Sequence, residues 1–390
     1  MDADYRRILE RQQYGIVGNH SAVKVCHWTK EQLAHGRGCY KNTFYGIQSH
    51  RCVQMTPMAT YCNKTCLYCW RFQGWETKVE GPFDEPAAIW EGSLEQQKRL
   101  LSGFKGMDAV TPQVWQESEA PKHVAISLTG EPTFYPKLGE FLALCHGKGI
   151  TTFLVTNGTT PEVLANLDPP PTQLYVSVDA PDEATFERLG VPTTPRAWEK
   201  LQQTLALLPS LGSRTVLRHT VVKGWNAHLV DGFAALDKTA QPDFIECKAY
   251  EYVGPSRDRM AWDNVPTFEE VRAFAHRLAE LLGYKVEDER SDSRVVLLMR
   301  PGAQRFLWDD PRSAPLYGAQ PLGPLTLGTK GQAAPKELAV AVPSPTGATS
   351  GHLHVVHEHH GHGEDEVHAG GGCGTGGGCG GGGAGNVTLR

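Results

Sequence analysis

Residues 61–70 read YCNKTCLYCW, which sets Cys62, Cys66 and Cys69 on one short stretch. Three thiolates so spaced can take three corners of a [4Fe–4S] cube and leave one iron without a protein ligand. The missing fourth cysteine is informative, because a small molecule with an amino and a carboxylate group can complete that corner. S-adenosylmethionine carries both. Reduction of its sulfonium releases a 5′-deoxyadenosyl radical, chemistry that the cofactor supplies and the protein positions. A structural zinc site is the other reading, but it would use four Cys or His ligands, commonly as paired C-x2-C knuckles. Open-site ligation favours iron and sulfur.

Ten cysteines occur in the 390 residues, six of them before residue 70. Cys26, Cys39 and Cys52 recur at a spacing of thirteen, too far apart for one loop to place them and too regular to dismiss. Their surroundings, SAVKVCHWTK, HGRGCYKNTFYG and SHRCVQMTP, mix Cys with His, Lys, Arg and Gly, which is not core composition. Three separate buried thiols are the alternative; a second three-cysteine cluster is the preferred reading. Lys41 stands two residues beyond Cys39. An amine becomes nucleophilic where a cationic or desolvated setting lowers its pKa, and a lysine two residues from a cluster ligand is a candidate for such a place.

Ordinary globular composition surrounds these residues, with 40% hydrophobic and 21% charged residues and a formal net charge of -5. That balance gives no global basic signature, so a nucleic-acid site would be a local patch. MDADYRRILERQQYG has no leader-like apolar core and no stretch approaches a membrane span, so a soluble, cytoplasmic protein is expected. In a reducing compartment its cysteines are ligands, catalytic groups or buried thiols before they are disulfides.

Short apolar runs recur from VQMTPMAT (53–60) onward: HVAISL (123–128), TTFLVT (151–156), QLYVSV (173–178), TVLRHTVV (215–222) and DFIECKAY (243–250). Helical segments lie between them, among them 85–104, 136–149, 182–190 and 267–283, the last with a Thr start and two early glutamates. Alternating strands and helices imply parallel β/α units. The expected architecture is α/β, an incomplete parallel (β/α)6-type TIM barrel over 61–300. A cluster-binding extension occupies 1–60, a C-terminal wrap 301–330 and a disordered His/Gly-rich tail 331–390. The tail's histidines and two cysteines could bind metal, with no geometry to define a site.

Tyr68 before Cys69, together with the three-cysteine spacing, resembles the signature of the radical S-adenosylmethionine superfamily. SLTGEPTFYP (127–136) resembles its Gly-Gly-Glu-Pro motif, with Thr129 at the first glycine, and the resemblance implies that Gly130 and Glu131 hold the methionine amino group. Asn157, Ser177 and Asp179 end the next two strands and are candidates for the ribose or carboxylate, since barrel chemistry belongs at the C-terminal strand ends. Each taken alone is equally a turn or cap residue.

GNHSAVKVCHWTK, GCYKNTFYGIQSHRCVQMTP, CNKTCLYCWRF, SLTGEPTFYP and IECKAYEYVGPSR together look like the archaeal 4-demethylwyosine synthase family, over about residues 10 to 300. The resemblance implies two [4Fe–4S] clusters, S-adenosylmethionine, and a radical reaction joining N1-methylguanosine beside the anticodon of phenylalanine tRNA to pyruvate. It also implies that the second cluster offers its open iron to pyruvate, and that Lys41 matches the family lysine proposed to form a Schiff base with the pyruvate carbonyl. No flavodoxin-like domain precedes the barrel, so electrons are expected from a separate ferredoxin- or flavodoxin-type donor. A monomer with no membrane contact is expected.

A base in an anticodon loop must be unstacked to be reached, and aromatic and arginine side chains commonly read such bases. Trp70, Arg71, Phe72 and Trp75 follow the first cysteine set, and Arg37, Lys223, Lys248 and Arg257 are candidates for phosphate contact. Lid packing and plain solvation are the competing readings. Two other functions stay open at this level. One is a radical enzyme acting on a peptide or small metabolite with an auxiliary electron-transfer cluster; the other is a zinc-bound RNA-binding protein.

Overall fold

A computed structural model describes residues 1–74 and 81–318. The tail, Trp75 and the end of the expected wrap lie outside the described residues. The strands are β1 (Gly15–Val17), β2 (Ser21–Val23), β3 (Cys52–Thr56), β4 (His123–Ile126), β5 (Thr151–Thr156), β6 (Gln173–Ser177), β7 (Arg214–Val221), β8 (Phe244–Ala249), β9 (Lys285–Arg290) and β10 (Val295–Met299). The helices are α1 (Ala3–Arg11), α2 (His27–His35), α3 (Tyr40–Tyr45), α4 (Pro86–Leu101), α5 (Pro112–Ser118), α6 (Leu138–Gly147), α7 (Pro161–Ala165), α8 (Glu183–Thr185), α9 (Ala197–Leu207), α10 (Val230–Ala240), α11 (Phe268–Leu282) and α12 (Ala314–Tyr317).

The strands form one sheet in the order β1-β2-β3-β4-β5-β6-β7-β8-β10-β9. Six consecutive strands, β3 to β8, pair in parallel, while β1, β2, β10 and β9 extend the two edges antiparallel. This is the expected incomplete parallel (β/α)6-type barrel. Its first parallel strand, Cys52–Thr56, lies within the 1–60 segment rather than after it.

Alternation along the strands separates two cores. Val176, Leu217, Ile245 and Val296 face outward and pack with Phe141 of α6, Leu201 of α9, Phe233 of α10 and Phe274 of α11. Residues one step away face inward: Tyr175, Val216 and Phe244 share a register row and pack with Tyr40, Phe44 and Tyr45 of α3. The short helix α3 thus fills the lower lumen. Local chemistry holds the surrounding helices, as in α11, where Thr267 and Glu270 cap each other reciprocally and Gly283 ends the helix.

The lumen floor is closed by the segment after β10. Arg214, fully buried at the start of β7, donates to Asp310 (3.0 Å), Gln173 (3.2 Å) and the carbonyls of Arg305 (2.7 Å) and Phe306 (3.2 Å). A buried guanidinium is tolerated when its charge and donors are met in this way. Residues 305–310 therefore lie against the N-terminal end of β7.

Candidate active site

The loop carrying Cys62, Cys66 and Cys69 leaves the C-terminal end of β3 and is strapped down by partners distant in sequence. Thr65 N and Leu67 N donate to the carbonyls of Val191 and Leu189 (both 3.0 Å), and Thr193 N donates to Asn63 O (2.9 Å). Arg259 donates to the carbonyls of Leu67 and Cys69, and Gln73 to that of Cys66 (3.2 Å). The loop's shape is thus imposed from outside. Burial pushes the Cys62 thiol up, and the charges of Glu131, Cys66 and Cys69 push it further. Burial and then Cys66 raise Cys69, against an N–H from Arg71 and the charges of Arg71 and Arg259. Three crowded thiols opposed by amide donors and cations are the setting in which bound metal stabilises thiolates.

The expected cofactor residues lie together around this loop. Gly130 has φ +71° and sits so close to the Met58 carbonyl that a Cβ would collide with it. Glu131 N donates to Tyr61 O (2.8 Å), which fixes the GEP turn against the residue before Cys62. The Glu131 carboxylate is buried and accepts from Thr133 and Thr156 hydroxyls (both 2.8 Å) and from Asn157 N (2.8 Å). Burial raises its pKa against those donors. Asn157 in turn donates to Asn63 (2.8 Å), and Asn63 to Thr159 (2.8 Å). Asp179 accepts from Tyr68 OH and from Thr220 N (2.8 Å). Asn157 and Asp179 therefore anchor the cysteine loop to two strand ends. Ser177, in register with Arg218, faces the lumen half-exposed.

At the other end of β3 the second set assembles. Cys26 precedes α2, Cys39 precedes α3, and Cys52 begins β3. Burial raises Cys26, with Cys39 next among the causes; N–H groups of Trp28 and Thr29 and the charge of Lys41 oppose it. Cys52 is raised by burial and by both other thiols, again against Lys41. The three residues spaced by thirteen thus share one neighbourhood. Among the described residues no three His, Cys, Asp or Glu side chains converge on a point that one metal ion could fill.

Lys41 projects from α3 over the rings of Tyr175 (4.1 Å) and Phe153 (5.7 Å). Burial lowers its pKa, Glu246 acts against this, and Arg218 adds to it. Glu246 is fully buried and accepts from Tyr40 (3.0 Å) and Tyr45 (2.8 Å). Both the hydroxyl pair and Arg218 went unnoticed in the sequence; the only trace was a charged residue within each of two apolar strand runs.

The expected RNA contacts divide. Trp70 is exposed, Arg37 pairs with Glu31, and Lys223 pairs with Glu270 (2.7 Å) at the surface. Arg257 lies over the Tyr252 ring (5.8 Å), and the Gly254 turn of the same loop packs against the Trp70 carbonyl. Arg71, expected among the base-reading residues, and Lys248, expected at a phosphate, are both enclosed. Arg71 is buried, donates to Tyr14 and stacks on Trp70, while Lys248 lies inside the barrel, tied to Glu251 (3.0 Å) and Ser293 O (2.9 Å). Burial and these partners leave neither cation for a phosphate. Phe72 packs half-buried near Tyr5. Trp262, absent from the sequence reading, is 67% exposed and stands edge-on to Tyr252 at 5.8 Å.

The chain is similar to known proteins along most of its length. The radical SAM superfamily family matches residues 56–236, and the family described as wyosine base formation matches 239–300. The S-adenosyl-L-methionine-dependent tRNA 4-demethylwyosine synthases of Pyrococcus abyssi and Pyrococcus horikoshii are each 46% identical over 308 residues, 77% of this chain and 90% of theirs. A solved structure of TYW1 with a lysine-pyruvate adduct bound is 37% identical with a TM-score of 0.71, covering 77% of this chain and 96% of that one.

Proposed function

Because the chain belongs to the S-adenosyl-L-methionine-dependent tRNA 4-demethylwyosine synthases, a family of radical enzymes, we propose how its own residues divide that reaction. This membership sets aside the peptide or small-metabolite radical enzyme and the zinc-bound RNA-binding protein. Cys62, Cys66 and Cys69 hold the [4Fe–4S] cluster that binds S-adenosylmethionine, and a second cluster sits on Cys26, Cys39 and Cys52. When bound and reduced, the first cluster and its ligand supply a carbon radical that takes a hydrogen from an N-methyl group. Asn157 and Asp179 keep the loop beneath that chemistry in place, and Gly130, Glu131 and Ser177 border the cofactor.

The RNA substrate is N1-methylguanosine beside the anticodon of phenylalanine tRNA, and the second substrate is pyruvate. Lys41 attacks the keto carbon, water leaves, and a Schiff base holds the three-carbon unit for radical addition. The observation that carries this reading is the Lys41 amine, which reaches into the lumen over Tyr175 without a hydrogen-bond partner among the described residues. Burial favours its neutral, nucleophilic form. The lysine-pyruvate adduct of the related structure supports the same role. Trp70, Trp262, Arg257, Lys223 and Arg37 receive the RNA, and a separate protein delivers electrons to a monomeric enzyme.

Anaerobic reconstitution with iron and sulfide tests the reading, followed by S-adenosylmethionine, dithionite, pyruvate and methylated tRNA, with mass spectrometry of the digested nucleosides. A tricyclic nucleoside that requires pyruvate, and that is lost in Cys62→Ala, Cys26→Ala and Lys41→Arg, is the expected result. Deoxyadenosine without modified tRNA would overturn the substrate assignment. Iron for only one cluster would overturn the second set.

A further inference from the structure

A keto acid that condenses with Lys41 brings a carboxylate with it, and that charge must be met somewhere inside the barrel. Ser177, Arg218 and Glu246 occupy one register row across β6, β7 and β8, and side chains in such a row point to the same face. Two steps below them lie Tyr175, Val216 and Phe244, which pack against α3 in the lumen. Arg218 therefore points into the space above Lys41. Its guanidinium acts electrostatically on Tyr40, Glu246, Asp179, Tyr175 and Lys41, yet it has no hydrogen bond or ion pair among the described residues.

Its neighbours do not claim it. The two Glu246 oxygens each accept a phenol, from Tyr40 and Tyr45, and Asp179 is engaged by Tyr68 and Thr220. Lys248, the next cation in the lumen, is committed to Glu251 and Ser293 O. Resting on the reading of Lys41 as the Schiff-base residue, we propose that Arg218 is the carboxylate anchor of the keto acid site. It grips the carboxylate through its planar fork while the adjacent carbonyl faces Lys41. Glu246, locked by its two phenols, lies in the same row and balances the guanidinium. Such an anchor selects 2-keto acids over simple ketones, because only the former bring the charge the guanidinium lacks.

The test traps the imine with cyanoborohydride in the reconstituted holoenzyme, without tRNA or S-adenosylmethionine, and reads it by intact-protein mass. Condensation expels water and the hydride reduces C=N, so the gain is one pyruvic acid less one oxygen atom. Pyruvate and hydroxyacetone are titrated against the parent, Arg218→Met and Arg218→Lys. Arg218→Met is expected to raise the pyruvate concentration for half-maximal trapping by roughly 10- to 100-fold, the scale of a charge-assisted bidentate contact. Hydroxyacetone trapping stays unchanged, and Arg218→Lys falls between. An unchanged pyruvate curve overturns the proposal and moves the carboxylate to the Cys26–Cys39–Cys52 cluster. Equal loss for both carbonyl compounds also overturns it, because Arg218 would then act on Lys41. If even the parent traps nothing, the Lys41 reading fails. The anchor is then decided by the KM for pyruvate in nucleoside formation, which Arg218→Met must raise at least tenfold for the proposal to stand.

Discussion

Replacing Glu246 with leucine removes a carboxylate from the middle of the lumen while nearly keeping its volume. Tyr40 and Tyr45, which now donate to it at 3.0 and 2.8 Å, both lose that acceptor, and Tyr45 keeps only the Tyr175 hydroxyl nearby. Each unsatisfied buried hydroxyl costs about 1–3 kcal/mol, so Glu246→Leu is expected to lose about 2–6 kcal/mol. The same argument predicts a reversal. Adding Tyr40→Phe and Tyr45→Phe to Glu246→Leu removes the orphaned groups and recovers most of the loss, although each phenylalanine alone destabilises the parent. The residual deficit reports the Arg218 charge left without its balancing anion. Anaerobic urea unfolding, followed by far-ultraviolet circular dichroism and tryptophan fluorescence with coincident transitions, measures all five proteins. A triple variant less stable than Glu246→Leu would refute the reasoning, because the phenols would then contribute packing rather than hydrogen bonds to the carboxylate.

Three further outcomes are expected. Gly130→Ala forces a positive φ on a residue with a Cβ, at about 1–2 kcal/mol, and displaces the Met58 backbone that leads into the cysteine loop, so S-adenosylmethionine binding by equilibrium dialysis should weaken along with stability; unchanged binding would refute the close fit. Trp262→Ala should leave the melting temperature unchanged and weaken tRNA binding by roughly 10- to 100-fold in fluorescence anisotropy at fixed salt, the scale of one lost stacking contact, and full affinity would remove Trp262 from the RNA surface. His219 meets the Val178 carbonyl and Asp237 with its two ring nitrogens; burial pulls its pKa down, but Asp237 and these bonds outweigh it and the net shift is upward. A raised folded pKa places its stabilisation below the unfolded value of about 6.5 and removes it as pH climbs through the folded one. The gap in melting temperature between the parent and His219→Gln should therefore shrink from pH 6 towards pH 9, and a constant gap would contradict the assignment.

The parallel strands were legible because apolar runs such as TTFLVT are bounded by turns, and this run coincides with β5. KVEDER was not, since a charged edge strand has no apolar alternation to see, and it pairs only because β10 lies beside it. The three-residue strands β1 and β2 and the six-residue helix α3 are too short to show a period. Cysteine spacing announced both thiol sets, yet the struts of the first, Leu189, Val191 and Arg259, come from over a hundred residues away and carry no local mark. Arg218 and Glu246 sit in runs that read simply as buried strand. Only register places them in one row above Lys41. Lys248 looked like a surface cation because sequence records charge and not enclosure.

The strand β3 begins at Cys52 and leads into the loop with Cys62, and it is bonded along its length to β4 and over its end to β2. Its four residue steps, at about 3.3 Å each, separate its ends by roughly 13 Å. A strand held on both sides neither stretches nor folds back, so it fixes the distance from Cys52 to the point where the chain turns into the loop of Cys62. Under the two-cluster proposal, part of the gap an electron would cross between the centres is thereby set by the sheet and not by a motion of this segment.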